Sequence, residues 1–222
     1  MPSNSTSIFQ EGASFESFKL LDKGVFREKE LIEQLMMPGK YPNCSGTRAL
    51  NDNLSDLKAQ IAANLKGANL VKDLISSYGL DVVLAYMNHI QQNAELEVRD
   101  LMKNIVIERK TNVLSASDMM DDGTTIFLNI CIDSNSGDAI FDFTGTGEEV
   151  YGNINAPKSV TYSAIIYCLR CMIGHDMPLN HGCLAPIKVI FPLNSIISPS
   201  HDAAVVGGTI DMQRCIKLFN IN

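Results

Sequence analysis

The sequence has no tryptophan, only 7% aromatic residues, and no apolar run of the about 18 residues that a membrane span requires. It also has no Lys- or Arg-rich stretch. Because its formal net charge is −7, binding to a nucleic-acid backbone is not expected. The first residues lack the charged and apolar regions of a secretory signal. We therefore expect a cytoplasmic protein that binds neither membranes nor nucleic acids.

The sequence also lacks a phosphate-binding GxxxxGK[ST] loop, and the short GTG of residues 145–147 does not indicate a nucleotide site. Its six cysteines are not expected to form disulfides, because no secretion signal accompanies them. Cys168 and Cys171 form a C-x-x-C, a spacing that also occurs at zinc sites. Both lie inside a predicted helix at i and i+3, where small buried thiols explain them equally well. We predict no metal in this chain.

Apolar spacing predicts a mainly helical first part, residues 1–110. A short helix is expected over residues 26–37, ended by Pro38-Gly39. A long helix should begin near Asn53, with Asp52 or Asn53 as its cap, and end at Gly79. A second long helix carries an apolar stripe, so the two are predicted to pack as an antiparallel hairpin. The stripe comprises Val83, Met87, Ile90, Ala94, Val98, Leu101 and Ile105.

The apolar period changes to two from Thr124, which indicates strands. Residues 124–133, a turn at 135–137 and residues 138–144 predict a β-hairpin. A buried helix over 160–173 and a strand over 187–191 follow in this mainly β part, residues 111–222. Helices first and strands later predict the α+β class rather than a regular βαβ alternation.

Glycine, asparagine, threonine and proline cluster in residues 142–186 more densely than ordinary turns require. This block contains DFTGTG, NINAP and PLNHGCLAP, and AAVVGG follows it. With MPSNST, QEG, DNLSDLKAQIAAN and YGLDVV upstream, these motifs occur in the order seen in the hydantoinase B/5-oxoprolinase family. The chain resembles that family from residue 1 to about residue 208. NCSGTR and YMNHIQQNAE are most similar to the ATP-hydrolysing 5-oxoprolinases.

The resemblance implies an enzyme that opens the lactam of 5-oxo-L-proline to L-glutamate and hydrolyses ATP. A separate hydantoinase A-like region or chain would bind ATP and Mg²⁺ and phosphorylate the amide oxygen, while the hydantoinase B region brings water to the activated carbon. No cofactor is then expected in this chain, which should be inactive alone. The full-length enzyme is expected to be a homo-oligomer.

Two other functions stay open. One is a hydantoinase or N-methylhydantoinase B-type subunit, which the same family resemblance allows. The other is a truncated, inactive paralogue that acts only by association with a partner chain. The second is favoured by a departure from the family pattern, because the His-His-x-Asp metal motif and Asn-Asp-Pro loop expected upstream are not present in the sequence.

The tail after AAVVGG also departs from the family pattern. It reads TIDMQR, one residue short of the family's run. Residues 1–222 are therefore expected to be a partial hydantoinase B-like domain, cut at both ends. Such a cut would leave apolar surface uncovered, and residues 187–191 and 203–206 are the expected places.

Substrate-binding candidates lie near the start of the first long helix. Arg48 follows a Ser-Gly-Thr loop, and its guanidinium fork suits a substrate carboxylate, although a surface or helix-capping role fits equally well. Asp56, Gln60 and Asn64 recur at i, i+4 and i+8 and so share one helix face. A solvated face and a substrate-binding face explain them equally well, given their similarity to the family's DLKAQ(V/I)AAN run. We predict that these residues line one pocket with the loops at 142–146 and 153–155.

Further candidates lie in the polar loops of the second half. Asp142 ends a predicted strand and is proposed as a catalytic base, with an Asx turn as the alternative. Thr144, Asn155 and Asn180 are predicted to bind substrate. For the two asparagines, holding loops in place is the stronger alternative.

Two further sets of polar residues are less specific. Ser5 and Thr6 are predicted to line a pocket together with Glu11. An acidic cluster before Gly123 suits Mg²⁺, but a solvated turn explains it better. The cluster comprises Asp118, Asp121 and Asp122.

Overall fold

A computed structural model describes residues 3–219, and all of their side chains except those of residues 210–212 and 219. It begins with four short elements: α1 (Ile8–Glu11), β1 (Leu21–Asp22), β2 (Val25–Phe26) and α2 (Glu28–Met36). α2 lies within the predicted range 26–37 and ends in a 3-10 turn that contains the Pro-Gly pair. Leu31 and Leu35 of α2 pack with Leu54 in a small apolar cluster.

Two long helices follow: α3 (Leu50–Tyr78) and α4 (Leu80–Arg109). Gly79 alone joins them, with a φ of 86° that glycine adopts without strain, so the predicted break is confirmed. α3 begins earlier than expected, and its N-cap is Ala49, which makes no side-chain capping bond. The prediction of Asp52 or Asn53 as the cap is wrong, because the helix begins at Leu50 and both residues lie inside it. The side-chain NH₂ group of Asn53 donates to the Thr47 hydroxyl.

The far half of α3 and the first half of α4 form an arm, defined here as residues 61–93. The two helices contact each other, and Val83 is buried. The predicted stripe is otherwise covered only from Ala94 onward, because Met87 and Ile90 are 41% and 45% exposed. Eleven large apolar side chains of the arm are exposed: Leu65, Leu70, Val71, Leu74, Tyr78, Leu80, Val82, Leu84, Tyr86, Met87 and Ile90.

A mixed four-stranded sheet forms the second half, in the order β3 (Val113–Met119), β4 (Thr125–Ile132), β5 (Ala139–Asp142) and β6 (Ile187–Ile190). β4 and β5 pair antiparallel, with Ile130 opposite Phe141, which confirms the predicted hairpin. β6 pairs parallel with β5. Alternate residues of β4 are buried in the main core, as the period of two predicts.

Three helices pack against this sheet: the second half of α4, α5 (Lys158–Ile173) and α6 (Thr209–Phe219). α5 is the predicted buried helix, and the architecture is of the predicted α+β class. The tail that departs from the family pattern forms α6, which packs on α5 and β3 and buries Cys215 and Leu218. Among the described residues, no helix combines the length and apolarity needed to span a membrane.

The exposed apolar surface lies on the arm and not at residues 187–191 and 203–206, where the sequence predicted it. Residues 187–190 form β6, and Phe191 stacks on Phe143 with ring centroids 5.8 Å apart. Ala204, in the second expected segment, is fully buried. The exposed large apolar side chains concentrate instead on the arm, and neither core cluster of the described residues includes a residue of 61–93.

Candidate functional site

A cleft of about 740 Å³ opens where the N-terminal segment meets the loop before α3. Its volume is typical of small-molecule sites. Its lining includes residues of the QEG motif and of the NCSGTR motif. The polar residues of the lining include Gln10, Glu11, Asn43, Thr47, Arg48 and Asn53.

Arg48 gives this cleft an uncompensated positive charge. Within residues 3–219, its guanidinium is not among the groups that make a hydrogen bond or ion pair. Glu11 is the other charged residue of the lining, and backbone amides already hold its carboxylate. An anion in the cleft would therefore meet a planar cation that has no competing partner.

Local bonds position the loop that carries Arg48. The Thr47 amide donates to the Leu35 carbonyl at 3.2 Å, which ties the loop to the end of α2. The Asn53 amide donates to the Thr47 hydroxyl and ties the same loop to the first turn of α3. Arg48 is thus fixed at its backbone while its side chain stays exposed.

Glu11 joins the N-terminal segment to a loop almost two hundred residues later. Its carboxylate accepts the Val205 amide at 3.0 and 2.9 Å, the Val206 amide at 2.9 Å and the Ser5 hydroxyl at 2.7 Å. The Ile8 amide adds a bond to the Asp202 carbonyl at 3.0 Å. Glu11 lines the cleft as predicted, but Ser5 and Thr6, which were predicted to line a pocket with it, are not among the lining residues. The link from Glu11 to the AAVVGG motif is a feature that the sequence did not predict.

The AAVVGG motif in turn packs against the NINAP motif. The Gly207 amide donates to the Asn153 carbonyl at 2.7 Å. A Cβ at Gly207 would lie 2.9 Å from that same carbonyl oxygen, and one at Gly208 would lie 2.6 Å from the Asn155 carbonyl oxygen. The two glycines are required because the backbones approach so closely. Three motifs that are distant in sequence, QEG, NINAP and AAVVGG, therefore form one hydrogen-bonded unit beside the cleft.

Asn155 holds this unit together from inside. Its side-chain oxygen accepts the Val150 amide at 2.8 Å, and its NH₂ group donates to the carbonyls of Val150, Gly152 and Ala204 at 3.0–3.1 Å. The residue is 0% exposed, so a ligand does not reach it in this conformation. The geometry is that of the loop-holding alternative, and a substrate-binding role for Asn155 stays a prediction.

The DFTGTG turn lies at the exit of β5. Asp142 is half-buried, and its Oδ1 accepts the Thr144 amide at 2.9 Å, which makes an Asx turn. Thr146 exchanges two bonds with the backbone of Phe127 and anchors the turn to β4. Thr144 is exposed. Neither Asp142 nor Thr144 is among the residues that line the Arg48 cleft, so their predicted roles are not tested by its geometry.

Asn180 caps a short 3-10 helix in the PLNHG loop. Its side-chain oxygen accepts the Gly182 amide at 2.8 Å, and its NH₂ group donates to the Ile90 carbonyl of α4 at 3.1 Å. It thus connects this loop to the base of the arm. Its predicted contact with substrate stays a prediction, since it also lies outside the cleft lining.

The polar face of α3 does not join the cleft. Asp56, Gln60 and Asn64 are all exposed, and none of them is among the residues that line the cleft with Arg48. The prediction that these three residues share one pocket with Arg48 is therefore wrong, because their side chains face solvent. Their roles in substrate binding stay predictions.

No metal centre is evident in the described part of the chain, where no group of three or more His, Cys, Asp or Glu side chains is placed to hold an ion. Arg214 contacts Asp121 at 2.8 Å and Asp118 at 3.6 Å, and Lys217 contacts Asp118 at 3.4 Å, so cations from α6 already occupy the acidic cluster. Burial acts to raise the pKa of Asp118, but the Met119 amide and these two cations outweigh it and hold the pKa below its ordinary value.

The C-x-x-C pair lies inside α5, as predicted. Cys168 is buried and Cys171 is exposed, so the two thiols do not share one environment. Burial, with a smaller contribution from Cys171, raises the pKa of Cys168 to about 12. At neutral pH this thiol is protonated, and a protonated thiol is a poor metal ligand and a poor nucleophile.

The comparisons with known proteins all indicate the same family. The Hydantoinase B/oxoprolinase family model matches residues 1–220, so the match continues through α6 and beyond the residue 208 suggested by the motifs. The 5-oxoprolinase of Dictyostelium discoideum is 50% identical over 213 residues, which are 95% of this chain and 16% of that protein. The 5-oxoprolinase 1 of Arabidopsis thaliana is 47% identical, over 95% of this chain and 18% of that protein. The chain thus spans about a sixth of the length of these curated relatives.

A solved structure shows the same fold. The crystal structure of the ATP-dependent caprolactamase from Pseudomonas jessenii matches with a TM-score of 0.78 and 21% identity, over 99% of this chain and 37% of that chain. Since the family model covers nearly every residue and the described fold agrees, the chain belongs to the hydantoinase B/oxoprolinase family.

Proposed function

We propose that this chain is the part of a 5-oxoprolinase-like, ATP-dependent cyclic-amide hydrolase that binds the carboxylate of 5-oxo-L-proline. Family membership and relatives named 5-oxoprolinase at 47–50% identity support this assignment over a hydantoinase B-type subunit. Since the chain spans about a sixth of those relatives, the activity of the whole protein is part of the proposal. Its cytoplasmic location stays a prediction from the sequence.

The proposed reaction opens a five-membered lactam, which is a poor electrophile. Transfer of the γ-phosphoryl group of ATP to the amide oxygen gives ADP and an activated carbon. Water then adds to that carbon and the C–N bond breaks, which frees the ring nitrogen as the amine of glutamate and leaves an acyl phosphate. A second water hydrolyses the acyl phosphate to the side-chain carboxylate and inorganic phosphate. We assign ATP and Mg²⁺ to a hydantoinase A-like region outside this chain, because the sequence has no phosphate-binding glycine loop. Alone, the chain is expected to release no glutamate.

The Arg48 cleft is the observation that carries this proposal. A substrate that combines a small ring with a carboxylate needs a cavity of modest volume and a cation that is free to pair with it. The cleft has a volume of about 740 Å³, and Arg48 and Glu11 are its two charged lining residues. Because backbone amides hold Glu11, the substrate carboxylate would not face an unpaired carboxylate there. Asn43, Asn53 and Gln10 provide amide groups for the lactam.

Asp142 stays the proposed base for the attacking water. Its Oδ1 is engaged by the Thr144 amide, and its Oδ2 is the oxygen that would take a proton. Because Asp142 lies outside the lining of the cleft, this role requires the lactam carbon to point toward the 142–146 turn. The proposal for Arg48 does not depend on it.

Calorimetric titration of 5-oxo-L-proline into the purified chain tests the role of Arg48. A charge-assisted bond contributes about 1.5–3 kcal/mol, so Arg48→Ala should weaken binding by roughly tenfold to hundredfold. Arg48→Lys should restore part of the affinity, since lysine keeps the charge but loses the planar fork. Lys66→Ala removes the same charge from an exposed position on α3 and is the matched control. Equal affinity of Arg48→Ala and the wild-type chain would refute the assignment.

One observation favours the second candidate, a chain that acts only by association. The arm exposes a large apolar surface that the described residues leave uncovered. Absence of 5-oxoproline binding in the titration, together with binding of the arm to a separate partner chain, would favour this function over the first.

A further inference from the structure

Gln10 supplies the Arg48 cleft with a group that the fold itself does not use. The residue is the third of α1, whose N-cap is Ser7, and this Ser-x-x-Gln spacing is that of a capping box. The Ser7 hydroxyl accepts the Phe9 amide at 3.4 Å, and the Gln10 side-chain oxygen accepts the Thr6 amide at 2.8 Å. Both bonds of the cap use side-chain oxygens, so the NH₂ group of Gln10 takes no part in capping.

The bond to Thr6 also determines which end of the Gln10 amide is free. A backbone N–H can only donate, so the atom that it contacts is the side-chain carbonyl oxygen. Within residues 3–219 the NH₂ group donates to no acceptor, although Gln10 is half-buried and lines the cleft. Asn53 lacks this constraint, because its partner, the Thr47 hydroxyl, can donate or accept. Gln10 therefore presents a hydrogen-bond donor to the cleft.

A donor and a cation in one cleft define the class of ligand that the cleft can take. The Arg48 guanidinium suits a carboxylate, and the Gln10 NH₂ group suits a neutral acceptor such as a carbonyl oxygen. A donor that loses its water to a ligand without gaining an acceptor costs free energy. A ring that carries both a carboxylate and a carbonyl oxygen satisfies both groups, whereas a ring with the carboxylate alone leaves the Gln10 donor unpaired.

We propose that Gln10 donates to the lactam oxygen and thereby selects a cyclic amide over other small ring carboxylates. This inference rests on the proposed function, which assigns the carboxylate to Arg48 but does not assign the lactam oxygen to any one amide group. Contacts from α1 and from the loop before α3 would fix the orientation of the ring. The contact with Gln10 would also hold the oxygen that receives the phosphoryl group in the proposed reaction.

Calorimetric titration of two ring acids tests this role. 5-Oxo-L-proline and cyclopentanecarboxylate carry the same charge on a five-membered ring, and only the first has a lactam. Gln10→Glu is the informative variant, because a carboxylate oxygen still accepts the Thr6 amide while an acceptor replaces the free donor. The added charge acts on both anions, so the ratio of the two affinities isolates the lost donor. The preference of the wild-type chain for 5-oxo-L-proline should fall by roughly three- to tenfold in Gln10→Glu, as expected for one hydrogen bond.

Two other variants separate this inference from the proposed function. Gln92→Glu makes the same change at an exposed position of α4 and should keep the wild-type preference. Arg48→Ala should weaken the binding of both ligands, because each carries the carboxylate. If the chain binds 5-oxo-L-proline through Arg48 but shows no preference, or keeps its preference in Gln10→Glu, the role of Gln10 alone is overturned. If the wild-type chain binds neither ligand, the proposed function and this inference are overturned together.

Heteronuclear NMR of the wild-type chain gives a second test that does not depend on the stability of a variant. The side-chain NH₂ signals of Gln10 should shift when 5-oxo-L-proline saturates the cleft, because the group gains an acceptor. The shift should be smaller with cyclopentanecarboxylate, which offers no carbonyl oxygen on the ring. Unchanged Gln10 signals at saturation with 5-oxo-L-proline, or the same shift with both ligands, would also overturn the proposal.

Discussion

The carboxylate of Glu11 offers the sharpest stability test of the region around the cleft. It accepts the amides of Val205 and Val206 and the hydroxyl of Ser5, at distances of 2.7–3.0 Å. Truncation to alanine would remove all of these bonds and leave two backbone amides of the AAVVGG motif without their acceptor. The N-terminal segment would then be held to this loop mainly by the Ile8–Asp202 backbone bond.

The expected magnitude follows from the kind of bond. A hydrogen bond to a charged group contributes about 1.5–3 kcal/mol, and bonds to one acceptor are not additive. Glu11 is half-buried, so water replaces part of the loss. We therefore expect Glu11→Ala to lower the free energy of unfolding by about 2–4 kcal/mol. In a chain of this size that corresponds to a Tm decrease of roughly 5–15 °C.

Thermal unfolding followed by circular dichroism measures this effect, and hydrogen exchange at Val205 and Val206 locates it. Glu33→Ala is the matched control, because Glu33 is an exposed residue of α2 outside the cleft lining. Glu11→Gln should lose less than Glu11→Ala, since the amide oxygen still accepts one backbone N–H. The reasoning is refuted if Glu11→Ala and Glu33→Ala unfold within about 0.5 kcal/mol of each other.

Two further predictions concern other polar groups. Asn155→Ala should lower the free energy of unfolding, measured in urea, by about 2–4 kcal/mol, because four backbone groups lose a buried partner. Asn69→Ala, at an exposed site on α3, is the control. Equal losses of unfolding free energy in the two variants would contradict the prediction. Asp118→Asn should destabilise the chain at neutral pH, because the cations of α6 hold the pKa of Asp118 below its ordinary value. The stabilisation by Asp118 is present above the unfolded pKa of about 3.9 and is lost as pH falls through the folded pKa, so urea unfolding should show wild type and variant converging in acid. A difference that stays constant into strong acid would exclude this electrostatic cause.

Local periodicity predicts most of the helices and strands of this chain for a physical reason. The two long helices, the β4–β5 hairpin and α5 all carry apolar residues at the spacing of their own secondary structure. In the β4–β5 hairpin, α5 and the second half of α4 those residues face the core, whereas most of those of α3 are exposed. β3 was not predicted from the sequence. It is an edge strand, and Ser115, Ser117 and Asp118 in its middle leave it without an apolar run. α6 was not predicted because its sequence was interpreted as a divergent tail. In the structure, its residues Cys215 and Leu218 are buried in the main core.

The candidate site is less predictable because long-range contacts assemble it. Arg48 and Glu11 were both identified as candidates by their motifs, but no periodicity indicates that they line the same cleft. The bonds from Glu11 to Val205 and Val206 connect positions almost two hundred residues apart. Conversely, the i, i+4, i+8 spacing of Asp56, Gln60 and Asn64 correctly places them on one helix face. It does not indicate what that face meets, and the structure leaves it in solvent.

A comparison of two ligands tests the central claim, that Arg48 binds the carboxylate of a cyclic amide, most directly. 5-Oxo-L-proline and 2-pyrrolidinone share the same five-membered lactam, and only the first carries a carboxylate. Calorimetric titration of each into the wild-type chain should show that 5-oxo-L-proline binds at least about tenfold more tightly, as expected for one charge-assisted pair. That preference should disappear in Arg48→Ala and persist in Lys66→Ala. Equal affinities for the two lactams in the wild-type chain, or a preference that survives in Arg48→Ala, would contradict the account.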